Sequence, residues 1–371
     1  MNMFSAIDAK HMARAIELAK RGIFTTSPNP NVGCVIVSAN GDVLSEGFHQ
    51  KAGEAHAEAA ALASSAESVA GATVYVTLEP CSHYGRTPPC SDALINTGIK
   101  RVVVAMQDPN PKVAGRGLKK LRDAGIQVDV GLMEAAAKEL NTGFIKRQLQ
   151  GMPKVTLKMA ASLDGKTALS NTQSKWITGA AARRDVQRHR AMSCAIISGS
   201  GTVLADDPSL NVRPEELPEH VNTGCTGEIR QPLRVILDGR NQLHSKLKVF
   251  ADNNVLVINL SPNVELSEAD IKQWQAPVQN GKIDLRAVLA HLAQMQLNDI
   301  WLEAGSRLAG AFIAAELVDS FILYLAPKLM GHSGFSLVEL PAFEKMEQVP
   351  ELHITETKMV GDDIKIVAHF R

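Results

Sequence analysis

The chain has 371 residues, of which 45% are hydrophobic and 21% charged, the composition of an ordinary soluble globular protein. Single cores stop growing near ~250 to 300 residues, so a chain of this length is expected to hold two domains. Lysine plus arginine balance aspartate plus glutamate at 39 each, so no global field draws nucleic acid; a polynucleotide partner loses support and a small-molecule substrate gains it.

In chain order, Asp8 is expected to cap a first helix whose apolar Met12, Ala15, Ile16 and Ala19 recur at helical spacing and which ends at Gly22. A strand over 32–37, the hairpin dipeptide Asn40-Gly41 and a strand over 43–48 follow, with His49 just beyond. Then come a helix around residue 57, a strand over 73–78, a short helix over 91–96, a strand over 101–106, a helix over 117–124, a strand over 126–130 and a helix over 134–150. Such alternation describes an α/β layered sheet with helices on both faces, occupying residues 1–150. Gly151-Met152-Pro153 reads as a linker, and residues 151–371 as a second domain. Its strands are expected at 155–160, 194–198, 233–237, 255–258, 299–302, 321–325 and 364–370, and its helices at 180–191, 285–294 and 307–315. Residues 213–231, rich in Glu, Pro, Thr and Gly, read as a surface loop. The five cysteines at 34, 81, 90, 194 and 225 are odd in number and scattered, which argues against a disulfide framework and for a reducing cytoplasm. Residues 1–15 lack the apolar core of a signal peptide and no run reaches the ~18 apolar residues of a membrane span, so neither export nor insertion is expected.

Two stretches carry the chemistry: His56-Ala57-Glu58, and Pro80-Cys81-Ser82-His83-Tyr84-Gly85-Arg86-Thr87-Pro88-Pro89-Cys90. One imidazole and two thiols, His56, Cys81 and Cys90, are the ligand set of a zinc ion that keeps a fourth position open for water, with the Glu58 carboxylate as proton carrier. The zinc nucleobase deaminases share this pattern, although eight residues, not two, separate the cysteines here. Gly85, Pro88 and Pro89 supply the turns for the longer loop, which brings His83 and Arg86 to the pocket rim. Taken singly, each cysteine also reads as a small buried hydrophobe and His56 as a surface histidine. Residues two apart do not share a helix face, so His56 and Glu58 are expected at a helix start, and Cys90 at a helix N-terminus that favours its thiolate. In the second domain, Ser198-Gly199-Ser200-Gly201-Thr202 follows an apolar strand, but Leu204 stands where the third glycine of a dinucleotide fingerprint belongs, so the Rossmann match fails. That loop and Gly305 remain candidates for phosphate binding or for ordinary tight turns.

These residues, with Ser27-Pro28-Asn29-Pro30-Asn31-Val32-Gly33 and Asp108-Pro109-Asn110-Pro111, resemble the bifunctional riboflavin-biosynthesis deaminase-reductases over nearly the whole chain, and the long cysteine spacing is that family's own form. Lys158 to Gly165, Ser174 to Thr178, Gly201 to Pro208 and Glu303-Ala304-Gly305 are similar to the reductase half. The resemblance implies a cytidine-deaminase-like three-layer domain followed by a dihydrofolate-reductase-like α/β domain. It further implies zinc and NADPH as cofactors and a small phosphorylated pyrimidine substrate, and it admits a homo-oligomer. Asn29, His49, His83 and Arg86 would meet the substrate in the first half, and Ser174, Arg190, Leu210, Arg213 and Glu303 in the second. Ala160, Trp176, Thr202 and Asp206 would lie along NADPH, with Gly239 at a position where a hydroxyl residue often stands. The run Gly305, Ser306, Arg307, Leu308, Ala309, Gly310 and Ala311 would join them. Lys158, Asp206 and Glu303 are the candidates for proton handling in the reductase. Arg190 and Arg213 suit a bidentate clamp on a ribose phosphate, or a solvated surface; Trp176 also reads as a core anchor. A single-activity deaminase with an inert second half, and a zinc-stabilised binding module with His83 as fourth ligand, are the alternatives.

Overall fold

The computed structural model describes residues 4–82, 88–111, 113–171, 173, 174, 176–217 and 229–370. Two compact units divide after Gly151, where a left-handed glycine (φ 67°) ends a helix and the second unit begins at Met152.

In the first unit, α1 (Ala6–Lys20) is capped by Ser5, not Asp8. Asp8 completes the capping box from inside the first turn and also accepts from Tyr75 and Arg101, so the helix start is tied to the sheet. Strands β1 (Gly33–Val37), β2 (Val43–Phe48), β3 (Thr73–Val76), β4 (Arg101–Val104) and β5 (Gln127–Val130) form one sheet in the order β2-β1-β3-β4-β5. The β1–β2 and β1–β3 pairs are antiparallel, and the β3–β4 and β4–β5 pairs parallel. Side chains alternate across it: Cys34, Ile36, Val74, Val76, Val102 and Val104 meet α2 (Ala57–Ser64), α3 (Cys90–Asn96) and α4 (Arg116–Asp123) on one face. Val35, Val37, Tyr75 and Val103 meet α1, α5 (Glu134–Glu139) and α6 (Thr142–Gln150) on the other. The helix expected over 134–150 is therefore two helices. Between them, the buried Asn141 accepts from the Asn31 N–H at 2.7 Å and donates to its carbonyl at 3.0 Å, a tertiary pairing that a continuous helix would not allow.

The second unit is built on nine strands: β6 (Lys154–Ser162), β8 (Ala195–Gly199), β9 (Leu233–Leu237), β10 (Val255–Asn259), β11 (Gln273–Gln275), β14 (Asp299–Glu303), β15 (Ser320–Ala326), β17 (Leu352–Val360) and β18 (Asp363–Phe370). Their order is β11-β10-β9-β8-β14-β6-β15-β18-β17; the first seven are mutually parallel, and β18 and β17 close the sheet antiparallel. Two ribbons stand apart, β7 (Lys166–Ala168) with β16 (Phe335–Ser336) and β12 (Val278–Gln279) with β13 (Lys282–Ile283). Helices α7 (Ala180–Met192), α8 (Ser200–Asp206) and α9 (Val264–Glu268) pack on one face through Val186, Val203 and Leu266. The other face carries α10 (Leu285–Gln294) and α11 (Ser306–Ala314), through Leu292 and Phe312. Each fully buried side chain of this kind contributes about 1.5–3 kcal/mol. Strand β17 is exposed along almost its whole length and lacks the apolar alternation that would have announced it.

Candidate active sites

The first centre gathers beyond the carboxyl end of β3, beside the amino end of its antiparallel neighbour β1. Gly47 in β2 lets α2 lie against the sheet: a Cβ there would sit 2.5 Å from the Ala57 carbonyl oxygen and 2.4 Å from the Ala61 nitrogen. That close approach fixes the start of α2, and His56 is its N-cap residue with extended backbone (φ −68°, ψ 163°). Its imidazole therefore leaves the helix in a direction that Glu58, in the first turn, does not share. The His56 Nδ1 atom lies 3.6 Å from Cys81 Sγ and 3.4 Å from Cys90 Sγ, and one ligand atom of each residue falls within 4.8 Å of the others. With bonds of about 2.0 Å to nitrogen and 2.3 Å to sulfur, a tetrahedral zinc separates N from S by about 3.6 Å. The three donors thus fit zinc as they stand.

The electrostatics match. The Cys90 thiol, the His56 ring and the Cys90 N–H, the last at 3.3 Å from Cys81 Sγ, together hold Cys81 down at about 4 against the upward push of burial. Cys90, donating to Cys81, is pushed up. Cys90 is the first residue of α3, as its expected place at a helix N-terminus requires, and its backbone N–H is directed at Cys81 Sγ. The hydrogen bond with Cys81 raises His56. Glu58 is 3% exposed, and burial, then the charge of Cys81, lift its carboxyl to about 7. Such a group both takes and returns a proton near neutrality.

His49, expected to meet substrate, is itself buried: its Nδ1–H donates to the Ala55 carbonyl at 2.9 Å, and Asn29 Nδ2 donates to its Nε2 at 3.0 Å. Burial holds it neutral, edge-on to His56 with ring centres 5.6 Å apart. Both its nitrogens are engaged, so His49 braces the His56 ring and Asn29 is tied to it. His83 and Arg86 lie outside the described residues.

In the second unit, candidates collect at the carboxyl ends of the parallel strands. Lys158 and Glu303 are partners in the β6–β14 register, and Arg190 comes from the last turn of α7. Arg190 grips Glu303 with both arms, Nε to Oε1 at 2.6 Å and Nη2 to Oε2 at 2.9 Å, while its Nη1 donates to the Asn211 carbonyl at 3.0 Å. Trp301 Nε1 adds a third donor to Glu303 at 2.8 Å. Burial pushes Glu303 up, but Arg190, Lys158 and Trp301 outweigh it and hold the carboxyl at about 2. Glu303 is therefore a fixed anion and carries no proton to give at neutral pH. Burial pulls Lys158 below its usual range, opposed by Glu303. Arg213 is likewise engaged, Nε to Glu216 Oε1 at 2.7 Å and Nη2 to Glu216 Oε2 at 2.9 Å. The Arg190 fork is closed on the buried Glu303, whereas Arg213 is paired with its neighbour Glu216 at a half-exposed position.

Leu210 holds a left-handed backbone (φ 50°) with its side chain buried, so only its main chain can face a ligand. The run from Gly305 divides. Gly305, the N-cap of α11, and Arg307 are exposed, whereas Ala309 and Gly310 turn inward, a Cβ on Gly310 meeting the Glu339 carbonyl oxygen at 1.9 Å. Backbone amides at the helix start suit an anion, but the inward residues pack the helix. Trp176 is no core anchor: it is 68% exposed with Arg183 over its ring at 4.6 Å. Gly239 is exposed, and Ala160, Ser174, Thr202 and Asp206 are partly so. A polar cluster behind Glu303 escaped the sequence reading: Lys365 Nζ donates to Asp185 at 2.5 Å and to His189 Nε2 at 2.8 Å, and Tyr324 donates to Asp185 at 2.6 Å. The His189 ring, held neutral by burial and Lys365, stacks on Trp301 at 4.8 Å. The sequence signal for it was slight, Trp301 and Glu303 sharing one face of a strand.

A chain built this way is a hydrolase and an oxidoreductase together, a zinc-dependent deaminase followed by an NADPH-dependent reductase. The model of the cytidine and deoxycytidylate deaminase zinc-binding region matches residues 5–106, and that of the RibD C-terminal domain matches residues 153–366. The chain belongs to the RibD family of riboflavin biosynthesis proteins. It is 49% identical to the riboflavin biosynthesis protein RibD of Haemophilus influenzae over 98% of this chain and 97% of that one, and 48% identical to that of Escherichia coli over 96% and 98%. Among solved structures, Acinetobacter baumannii RibD superposes with a TM-score of 0.90 at 44% identity, covering 98% of this chain and 99% of that one. A Thermotoga maritima protein described as a diaminohydroxyphosphoribosylaminopyrimidine deaminase and 5-amino-6-(5-phosphoribosylamino)uracil reductase gives 0.86 at 33% identity, with coverage of 98% and 99%.

Proposed function

We propose that residues 1–150 deaminate a diaminopyrimidinone ribosylamino 5′-phosphate and that residues 151–371 then reduce its ribosyl group to a ribityl chain, leaving a ribitylamino-uracil 5′-phosphate. The observation that carries the first step is the His56, Cys81 and Cys90 triangle beside a buried Glu58. Zinc held there supplies Lewis acidity that makes water nucleophilic at neutral pH. Two thiolates cancel the formal charge of such an ion, so Glu58 takes the proton from water and delivers it to the leaving amine, which departs as ammonia. His49 and Asn29 keep the His56 ring in place.

NADPH, when bound to the second unit, would supply the hydride needed to reduce the ring-opened anomeric carbon. With Glu303 fixed as an anion by Arg190, proton transfer falls to Lys158, whose amine stands beside that anion, with Asp206 as the second candidate. Arg190→Lys is expected to lower the reductase kcat by about tenfold or more, because an ammonium cannot replace a two-armed grip. A rise in KM alone, read with the deaminated substrate, would return Arg190 to the role of phosphate clamp.

A cytoplasmic setting belongs to the same reading, supported by the reduced thiols of Cys34, Cys81 and Cys90. Among the described residues no helix is long and apolar enough to cross a membrane. A homo-oligomer belongs to that reading too, supported by the exposed edge strand β17 with Ile354 and Met359 outward; sedimentation showing only monomer would remove it. The test of the function is to supply the pyrimidine and follow ammonia and NADPH separately. Ammonia is expected without NADPH, and NADPH oxidation only on deaminated material; oxidation that precedes ammonia release would reverse the order.

A further inference from the structure

A second buried acid stands beside the zinc triangle and no step above uses it. Glu79 is 3% exposed, and its carboxylate receives four backbone N–H groups: Oε1 from Gly117 at 2.9 Å and Leu118 at 3.3 Å, Oε2 from Gly115 at 2.9 Å and Asp108 at 3.2 Å. Four donors fill the acceptor sites of a carboxylate, so Glu79 has no lone pair left for a substrate. Gly117 and Leu118 are the second and third residues of α4, whose first amides have no partner within the helix. Its N-cap, Gly115, lacks a side chain to serve them, and Glu79 does so from the segment that follows β3.

That segment reaches Cys81 two residues later. Between them, Pro80 is pressed against α4 so closely that a Cβ on Gly117 would lie 2.1 Å from the Pro80 carbonyl oxygen. From the next turn of α4, Lys120 pairs with Asp92 in α3, the helix that begins with Cys90. Both cysteine-bearing segments therefore brace on α4, one through Glu79 and one through Lys120. The same carboxylate holds the start of the Asp108 to Pro111 stretch, a motif to which the reaction assigns no part.

The geometry points to Glu79 as the positioning residue of the zinc centre: it locks the Cys81 segment to α4 and so sets the separation of the two thiolates. This rests on the reading of that centre as a zinc deaminase. Glu79→Gln keeps the volume but turns an amide NH₂ toward two N–H donors, and Gly117→Ala pushes on the same joint from the helix side without removing a charge.

The test is full-length chain loaded with cobalt in place of zinc, read by its thiolate-to-cobalt absorption and by the rate at which a chelator strips it. Both variants are expected to shift the absorption, to lose metal between about tenfold and a hundredfold faster, and to lower the deaminase kcat more than they raise KM. Unchanged absorption and stripping rate with only a lower Tm would overturn the proposal, as would failure of both variants to fold, since positioning requires a folded chain with an altered centre. If the unsubstituted chain itself shows no thiolate-to-cobalt bands, the zinc reading fails, which is a different result.

Discussion

Glu58→Gln is expected to leave zinc at one per chain and to cut deamination by about a thousandfold or more. The substitution removes no ligand, because the three donors that fit the ion are His56, Cys81 and Cys90. It removes a buried carboxylate on which both Cys81 and Cys90 act, and a positioned acid–base group contributes about a hundredfold to ten-thousandfold. Burial, which lifts Glu58 to about 7, also means that glutamine replaces it with little change in volume, so the fold should hold. Metal analysis alongside an ammonia assay checks both halves of the expectation. Loss of zinc in this variant would make Glu58 a structural residue or a ligand.

The second large effect belongs to the thiols. Cys81→Ala or Cys90→Ala should abolish stable zinc binding and deamination together, since two remaining donors hold zinc poorly and metal binding is coupled to the local fold. Reduction of already deaminated substrate should continue, because Cys81 and Cys90 lie in the first unit and Lys158, Arg190 and Glu303 in the second. Collapse of both activities would show that the units are not independent.

How far the sequence could be read depended on how local the cause was. The placement of His56 at a helix start followed from the two-residue spacing to Glu58, and the structure puts it at the N-cap. The zinc set followed from residue types alone. What escaped was set by distant partners. Arg190 reads as a free cation until Glu303, 113 residues on, is seen to take both its arms. The helix over 134–150 reads as continuous until Asn141 is found paired with Asn31 across 110 residues. Strand β17 was missed because its residues face away from the core on both sides of the pleat.

The central claim is that one chain carries a metal-dependent hydrolytic centre and a separate metal-independent reductase. Removing the metal with a chelator and following ammonia release and NADPH oxidation in one preparation tests it most directly. The account predicts that ammonia release stops and returns on adding zinc, while NADPH oxidation with the deaminated substrate is unaffected throughout. Deamination that persists in metal-free protein, or a reductase that falls and recovers with zinc, would contradict it.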